Sequence, residues 1–193
     1  MFDINSILFQ RMDKQMYKEI KISNSPGDIK VFIVNNKILK KKIKLDLEKF
    51  PYTLKKDVKN KSFFRSRLLI QYLELYQRKH ISISHSKDTS AVACSDKFKI
   101  GIDIESISRH LSKNLATKIL KNNFDLNLEP IQVWTIMESS FKCYPDENQH
   151  FTKYTFKREN NFFVREKDKI RVKSIVTIFD NICLSLSFFS QKS

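Results

Sequence analysis

Glycine is nearly absent from this sequence, with two in 193 residues, Gly27 and Gly101. Phosphate loops of the P-loop and dinucleotide-binding kinds need several glycines at fixed offsets, so both are excluded. The three cysteines, Cys94, Cys143 and Cys183, are odd in number, widely spaced and form no C-x-x-C pair. That pattern excludes a zinc or redox dithiol motif and fits a reducing compartment. No apolar run approaches the roughly 18 residues needed to span a bilayer. The N-terminal M-F-D-I-N-S-I-L-F-Q has neither a basic leader region nor a small-residue cleavage site, so the expected location is the cytoplasm, with no membrane partner. Acidic residues are also in deficit: 36 Lys+Arg against 21 Asp+Glu gives 36 − 21 = +15. Such a field attracts nucleic acid, anionic lipid, phosphorylated small molecules or acidic proteins, and a bias toward Lys, Asn, Ile and Phe explains part of it without any partner. Against these deficits stand a hydrophobic fraction of 41% and sixteen Phe residues, enough for a real core in one domain or two small packed halves.

Along the chain, I-K-V-F-I-V and K-I-L-K-K-K-I-K-L within 28–45 read as a hairpin turning at Asn35-Asn36. Residues 61–76 carry Phe64, Leu68, Tyr72 and Leu75 or Tyr76 at three- and four-residue steps, with Arg65, Arg67 and Gln71 interleaved, the pattern of an amphipathic helix. Ile81–His85, Thr89–Ser95 and Phe98–Glu105 read as an antiparallel meander. Ser108–Lys121 and Glu129–Tyr144 read as helices, the second with Pro130 in its first turn. Strands are expected around Phe151–Phe156, Asn161–Arg165, Arg171–Phe179 and Ile182–Phe189. This order, a helix with antiparallel strands twice over, predicts an α+β fold of two similar halves, 1–97 and 98–193.

Three short stretches carry chemistry. In Ile100-Gly101-Ile102-Asp103-Ile104-Glu105 the two-residue period of a strand puts both carboxylates on one face and the isoleucines on the other. Like charges so close call for a cation or a shared proton, and oxygen ligands suit Mg²⁺; the plainer alternative is a solvated acidic face. On the helix after Pro130, Trp134, Glu138 and Lys142 share a face at four-residue steps, which makes Glu138 a third metal ligand and Lys142 a phosphate cation, or else a surface Glu–Lys pair. Val133, Met137 and Phe141 supply apolar contacts beside that face. Ser84-His85-Ser86 ends a strand with groups able to donate to an anion, though a lone histidine is more often structural.

The order S-I-S-H-S at 82–86, K-I-G-I-D-I-E at 99–105 and V-W-T-I-M-E-S-S-F-K at 133–142 resembles the 4′-phosphopantetheinyl transferase superfamily, in its monomeric, two-halved form. Phe63-Phe64-Arg65-Ser66-Arg67-Leu68-Leu69 is similar to an early helix of that family. The resemblance covers about residues 50 to 145 and implies an active site in the cleft between two α+β halves, in an enzyme that transfers the phosphopantetheine arm of coenzyme A to a serine of an acidic acyl or peptidyl carrier protein. It further implies that Asp103, Glu105 and Glu138 hold Mg²⁺, that Glu138 helps deprotonate the serine, that Arg67 and His85 bind the 3′-phosphate end of coenzyme A with Ser84 also on the cofactor, and that Lys142 meets the pyrophosphate as a catalytic cation. Two positions depart from the family pattern. Met137 stands where a lysine is usual, and no Gly-Lys-Pro segment precedes Ile81, so a slow, specialised or inactive member is the alternative within the family. The competing class is a basic nucleic-acid-binding module with aromatics among its cations; it explains the charge and not the carboxylates, so no specific nucleic acid is expected.

Overall fold

The computed structural model describes residues 17–35, 61–167 and 169–190. The described strands are β1 (Tyr17–Ile20), β2 (Lys30–Asn35), β3 (His80–Ser86), β4 (Thr89–Ser95), β5 (Phe98–Ser106), β6 (Lys157–Glu159), β7 (Phe162–Lys167), β8 (Ile170–Phe179) and β9 (Ile182–Ser190). The described helices are α1 (Lys61–Tyr72), α2 (Lys113–Lys121) and α3 (Pro130–Cys143). The strands form two antiparallel sheets, ordered β1-β2-β4-β3 and β5-β9-β8-β7-β6, so the chain is α+β.

Alternation along the strands explains the layering. Val31, Ile33, Ala91 and Ala93 of the first sheet join Ile100, Ile102, Ile104, Leu184 and Leu186 of the second in one apolar cluster. The residues between them, Phe32, Val34, Val92 and Cys94, face the other way and pack against Leu69 and Ile70 of α1. On the second sheet the outward face lies under α2 and α3, where Val133, Ile136 and Met137 meet Tyr154, Phe156 and Phe163.

The sheets also touch along one edge, through side chains. In the β3 sequence H-I-S-I-S-H-S, Ile81 and Ile83 pack beside the α1 cluster, and the alternate serines face β5. The hydroxyls of Ser82, Ser84 and Ser86 accept from the N–H groups of Ile102, Ile104 and Ser106 at 3.0, 3.2 and 3.1 Å. Three successive donors on the open edge of β5 are thereby satisfied without a backbone ladder.

Several expectations need correction. The meander over 81–105 breaks after β4: β5 pairs with β9, and the second neighbour of β4 is β2. The cause lies at the connection, where the Asp28 carboxylate, remote in sequence, accepts from Asp96 N and Lys97 N while the Ser95 hydroxyl accepts from Lys97 N and Phe98 N. Those bonds hold the connection as a turn that delivers the chain to the other sheet. The hairpin partner of β2 is β1, so both edges of β2 are taken; the arm expected over 37–45 lies outside the described residues. Residues Phe151–Phe156 are a 3₁₀ turn and irregular chain rather than a strand. Asn123 replaces the ladder there, donating to Tyr154 O and accepting from Phe156 N at 3.0 Å each. Finally, α2 starts at Lys113 and not Ser108, since the Ser112 hydroxyl caps it by accepting from Leu115 N.

Candidate active site

Helix α3 lies unusually close to its sheet. Gly101, Ser187 and Ser174 form a row of small residues across β5, β9 and β8, and the register places Asp103 opposite Ser185. A Cβ on Gly101 would stand 2.0 Å from Ser139 O and 2.5 Å from Cys143 N, so only glycine admits the helix backbone at this point. The Ser139 hydroxyl bonds those of Ser185 and Ser187 at 2.8 and 2.7 Å, and Ser187 bonds Ser174 at 2.7 Å. At the far end of α3 the buried Arg165 guanidinium donates to Ser140 O and Tyr144 O and lies 3.9 Å over the Tyr154 ring, a cation at the negative end of the helix. Gln132 accepts from Glu129 N at the start. Held at both ends and along its length, α3 presents Glu138 and Lys142 to the odd-numbered face of β5.

Asp103 lies at the centre of the cluster on that face. It is 2% exposed, and its Oδ1 accepts from Lys142 Nζ at 2.7 Å and from the Ser84 hydroxyl at 2.8 Å. Lys142 also donates to Ile102 O and Ser84 Oγ, both at 3.2 Å, and lies 3.9 Å from Glu138 Oε2. Asp103 Oδ2 is buried and has no donor. The Glu138 carboxyl lies within hydrogen-bond reach of Asp103, so one proton shared between the two carboxylates would bond the pair. Burial pushes Asp103 up from the ordinary carboxylate range, opposed by Lys142 and Ser84; burial pushes Glu138 up as well, reinforced by repulsion from Asp103. A buried acceptor without a donor beside a second strained carboxylate is the chemistry a hard cation relieves, so Asp103 and Glu138 fit Mg²⁺.

Glu105 is turned elsewhere. It pairs with Arg109, four residues on, and its Oε2 accepts from the Ser86 hydroxyl at 3.3 Å. Among the described residues no three His, Cys, Asp or Glu side chains stand together as a metal site, and Glu105 is engaged with Arg109. Arg109 lies 5.3 Å over the Trp134 ring, one turn of α3 before Glu138.

On the other side of Lys142 sits His85, whose Nδ1 is 2.8 Å from Ser90 Oγ. Its pKa is lowered to about 4 by burial first and then by the charges of Arg67 and Lys142, so the imidazole is neutral at pH 7. Arg67, expected on a polar helix face, is buried. Two cations, Arg67 and Lys142, thus act on a neutral His85, and Lys142 links them to the Asp103–Glu138 pair.

Two site readings change. Ser84, expected to face coenzyme A, spends its hydroxyl inside the protein on Asp103, Lys142 and Ile104, and so positions the carboxylate. Met137, expected as a lost cation beside Glu138, is fully buried in the apolar cluster beneath α3 and faces away from the carboxylates. Sequence reasoning missed Arg109 and the hydroxyl layer. The i,i+4 spacing from Glu105 was the available signal for Arg109, while Ser174, Ser185 and Ser187 carry none until the register is known. The cysteines are buried, and burial pushes the Cys143 and Cys183 thiols up to about 12 and 11, so thiolate chemistry has no place here.

Two open cavities of about 500 Å³ lie elsewhere, one against Tyr17, Leu75 and Arg78 and the other against Ile20, Leu128 and Phe179; neither is lined by Asp103, Glu138 or Lys142. Solvent reaches the cluster through Lys142 and Glu138, whose side chains are 29% and 27% exposed. No described helix is long and apolar enough to cross a membrane. In comparison with known proteins, no family model matches this chain and no curated protein is matched either.

Proposed function

We propose that this chain transfers the phosphopantetheine arm of coenzyme A to a serine of an acidic acyl or peptidyl carrier protein, working as two α+β halves with the active site where β3 meets β5. The observation that carries the reading is the buried, donorless Oδ2 of Asp103 in a carboxylate that Glu138 approaches, with Lys142 completing the cluster. Neither the acidic-face reading nor a nucleic-acid module calls for a buried Asp103 coupled to a second, half-buried carboxylate.

Asp103 and Glu138, joined by Glu105 once it leaves Arg109, would hold Mg²⁺, which when bound would supply positive charge to the pyrophosphate of coenzyme A. The chain's own groups do the rest. Lys142, anchored by Asp103, Ser84 and Ile102 O, keeps an ammonium at the edge of the cluster for the pyrophosphate oxygens. Arg67 and His85 would receive the terminal phosphate, and an anion there would draw a proton onto the imidazole. Glu138, the more exposed carboxylate, accepts the proton of the carrier serine as its oxygen bonds to the β-phosphorus and the bond to 3′,5′-ADP breaks. The net charge of +15 steers an acidic carrier toward the site.

Incubation with coenzyme A, Mg²⁺ and a panel of apo carrier proteins, followed by intact mass, tests the reading. The phosphopantetheine mass increment on one carrier, lost in Asp103→Asn, is expected. No increment on any carrier, with no binding of coenzyme A, would overturn it.

A further inference from the structure

Of the two cations in the carboxylate cluster, Lys142 makes three hydrogen bonds, to Asp103, Ile102 O and Ser84, while Arg109 is held by one carboxylate and one ring. The Arg109–Glu105 pair is lopsided: the arginine side chain is 42% exposed and the glutamate 11%. A short turn, closed by Arg109 N donating to Ser106 O at 2.9 Å, brings the guanidinium back beside the end of β5. From there its charge reaches Asp103 and Glu138 as well as Glu105. With all groups ionised the cluster carries three carboxylates against two cations, a balance of −3 + 2 = −1. A divalent ion would change that to +1 and compete with Arg109 for Glu105. The planar fork of arginine suits a phosphate as well as it suits a carboxylate, and one guanidinium cannot serve both in full.

We propose that Arg109 is an exchangeable counterion: it holds Glu105 as long as no metal is bound, and when Glu105 turns to a divalent cation it passes to a phosphate group of the ligand. The proposal rests on the carboxylates being the metal site of the proposed function. Metal and phosphate then bind cooperatively, each favouring the other through the one arginine. The flat Trp134 ring on which the guanidinium lies gives it an apolar and cation-binding support throughout the exchange.

The test is a double-mutant cycle in EDTA with inorganic pyrophosphate as the probe, read by calorimetry on the wild type, Glu105→Gln, Arg109→Gln and the double variant, each first checked for an unchanged melt. Releasing Arg109 by Glu105→Gln should tighten pyrophosphate by about fivefold or more, whereas the same change in the R109Q background should give less than about twofold. Removing one negative charge by itself would tighten binding equally in both backgrounds, and that equality overturns the proposal, as does an absence of pyrophosphate binding in Glu105→Gln. A second arm repeats the titration with coenzyme A at zero and saturating Mg²⁺. The wild type should show coupling of about tenfold, reduced in both single variants. If coenzyme A fails to bind while the pyrophosphate cycle behaves as expected, the counterion exchange stands and the coenzyme A reading falls.

Discussion

The two sheets share an apolar inner face but differ in what lies beneath their helices. Under α1 the outer face of the first sheet is Phe32, Val34, Val92 and Cys94, an ordinary apolar seat. Under α3 the corresponding face of the second sheet presents Gly101, Asp103, Glu105, Ser174, Ser185 and Ser187. Burying polar groups costs free energy unless each finds a partner, and here the hydroxyls find one another while Asp103 Oδ2 does not. The first sheet uses its helix to close a core. The second uses its helix to hold charged groups against one another, which is what a site requires and a core does not.

The sharpest way to break this difference is to put charge where the second sheet does behave as a core. Met137→Lys would bury an ammonium among Ile119, Val133 and Tyr154, with an expected loss of about 4 kcal/mol in denaturant melts. A stable, more active Met137→Lys protein would mean that position 137 faces the site after all. Next in size is Gly101→Ala. The added methyl would collide with the Ser139 carbonyl and Cys143 N and lift α3 from β5, at about 3 kcal/mol, and metal binding should weaken with stability. A wild-type melt for Gly101→Ala would show that the close approach is not needed.

A smaller change of opposite sign tests the strain at the carboxylates. Glu138 has a raised pKa, so the native protein prefers its protonated form and loses stability as pH rises from the ordinary carboxylate range through the raised value. Glu138→Gln removes that loss. At pH 7 in EDTA it should stabilise the protein by about 1 kcal/mol, or roughly 2 to 4 °C in Tm for a chain of this size, with the gain gone below about pH 4. Thermal melts with and without Mg²⁺ check it. The metal should raise the Tm of the wild type and leave Glu138→Gln unmoved; a Glu138→Gln protein less stable than wild type at pH 7 would contradict the strained pair.

How much of the fold and the site was legible in the sequence depends on the range of each interaction. The faces of β5 were, because Ile100, Ile102 and Ile104 alternate with Asp103 and Glu105, and a two-residue period needs no partner to be read. So was the shared face of Glu138 and Lys142, one helical turn apart. The partner of β5 was not legible: β9 lies some eighty residues on, and nothing local in Phe98–Ser106 prefers Ile182–Ser190 to the nearer β4. What diverts the chain is Asp28, a side chain distant in sequence from the turn it ties. Met137 was legible only in part: it was read both as an apolar contact and as a cation lost from the site, and the structure keeps the first. Its place with Val133 in an apolar stripe puts it on the core side of α3, and that period outweighs the family motif, in which the same position carries a cation.

The smallest expected effect lies on the seam between the sheets, at His85. Its pKa of about 4 lies below the ordinary value near 6.5, so between those limits the unfolded chain binds more protons than the native one, and stability falls as pH drops through that window. A phosphate beside the imidazole reverses the preference, because an anion favours the charged form that burial, Arg67 and Lys142 oppose. Coenzyme A binding should therefore take up a proton at His85, and affinity should rise by several-fold, less than about tenfold, as pH falls from 7 to about 5. The phosphate group of the ligand titrates near the same pH, and so the quantity to read is a difference. Proton uptake measured by calorimetry in two buffers of unlike ionisation enthalpy should be larger for the wild type than for His85→Asn across pH 5 to 6.5. Equal uptake by the two proteins would remove His85 from the phosphate site and leave it as a neutral side chain bonded to Ser90.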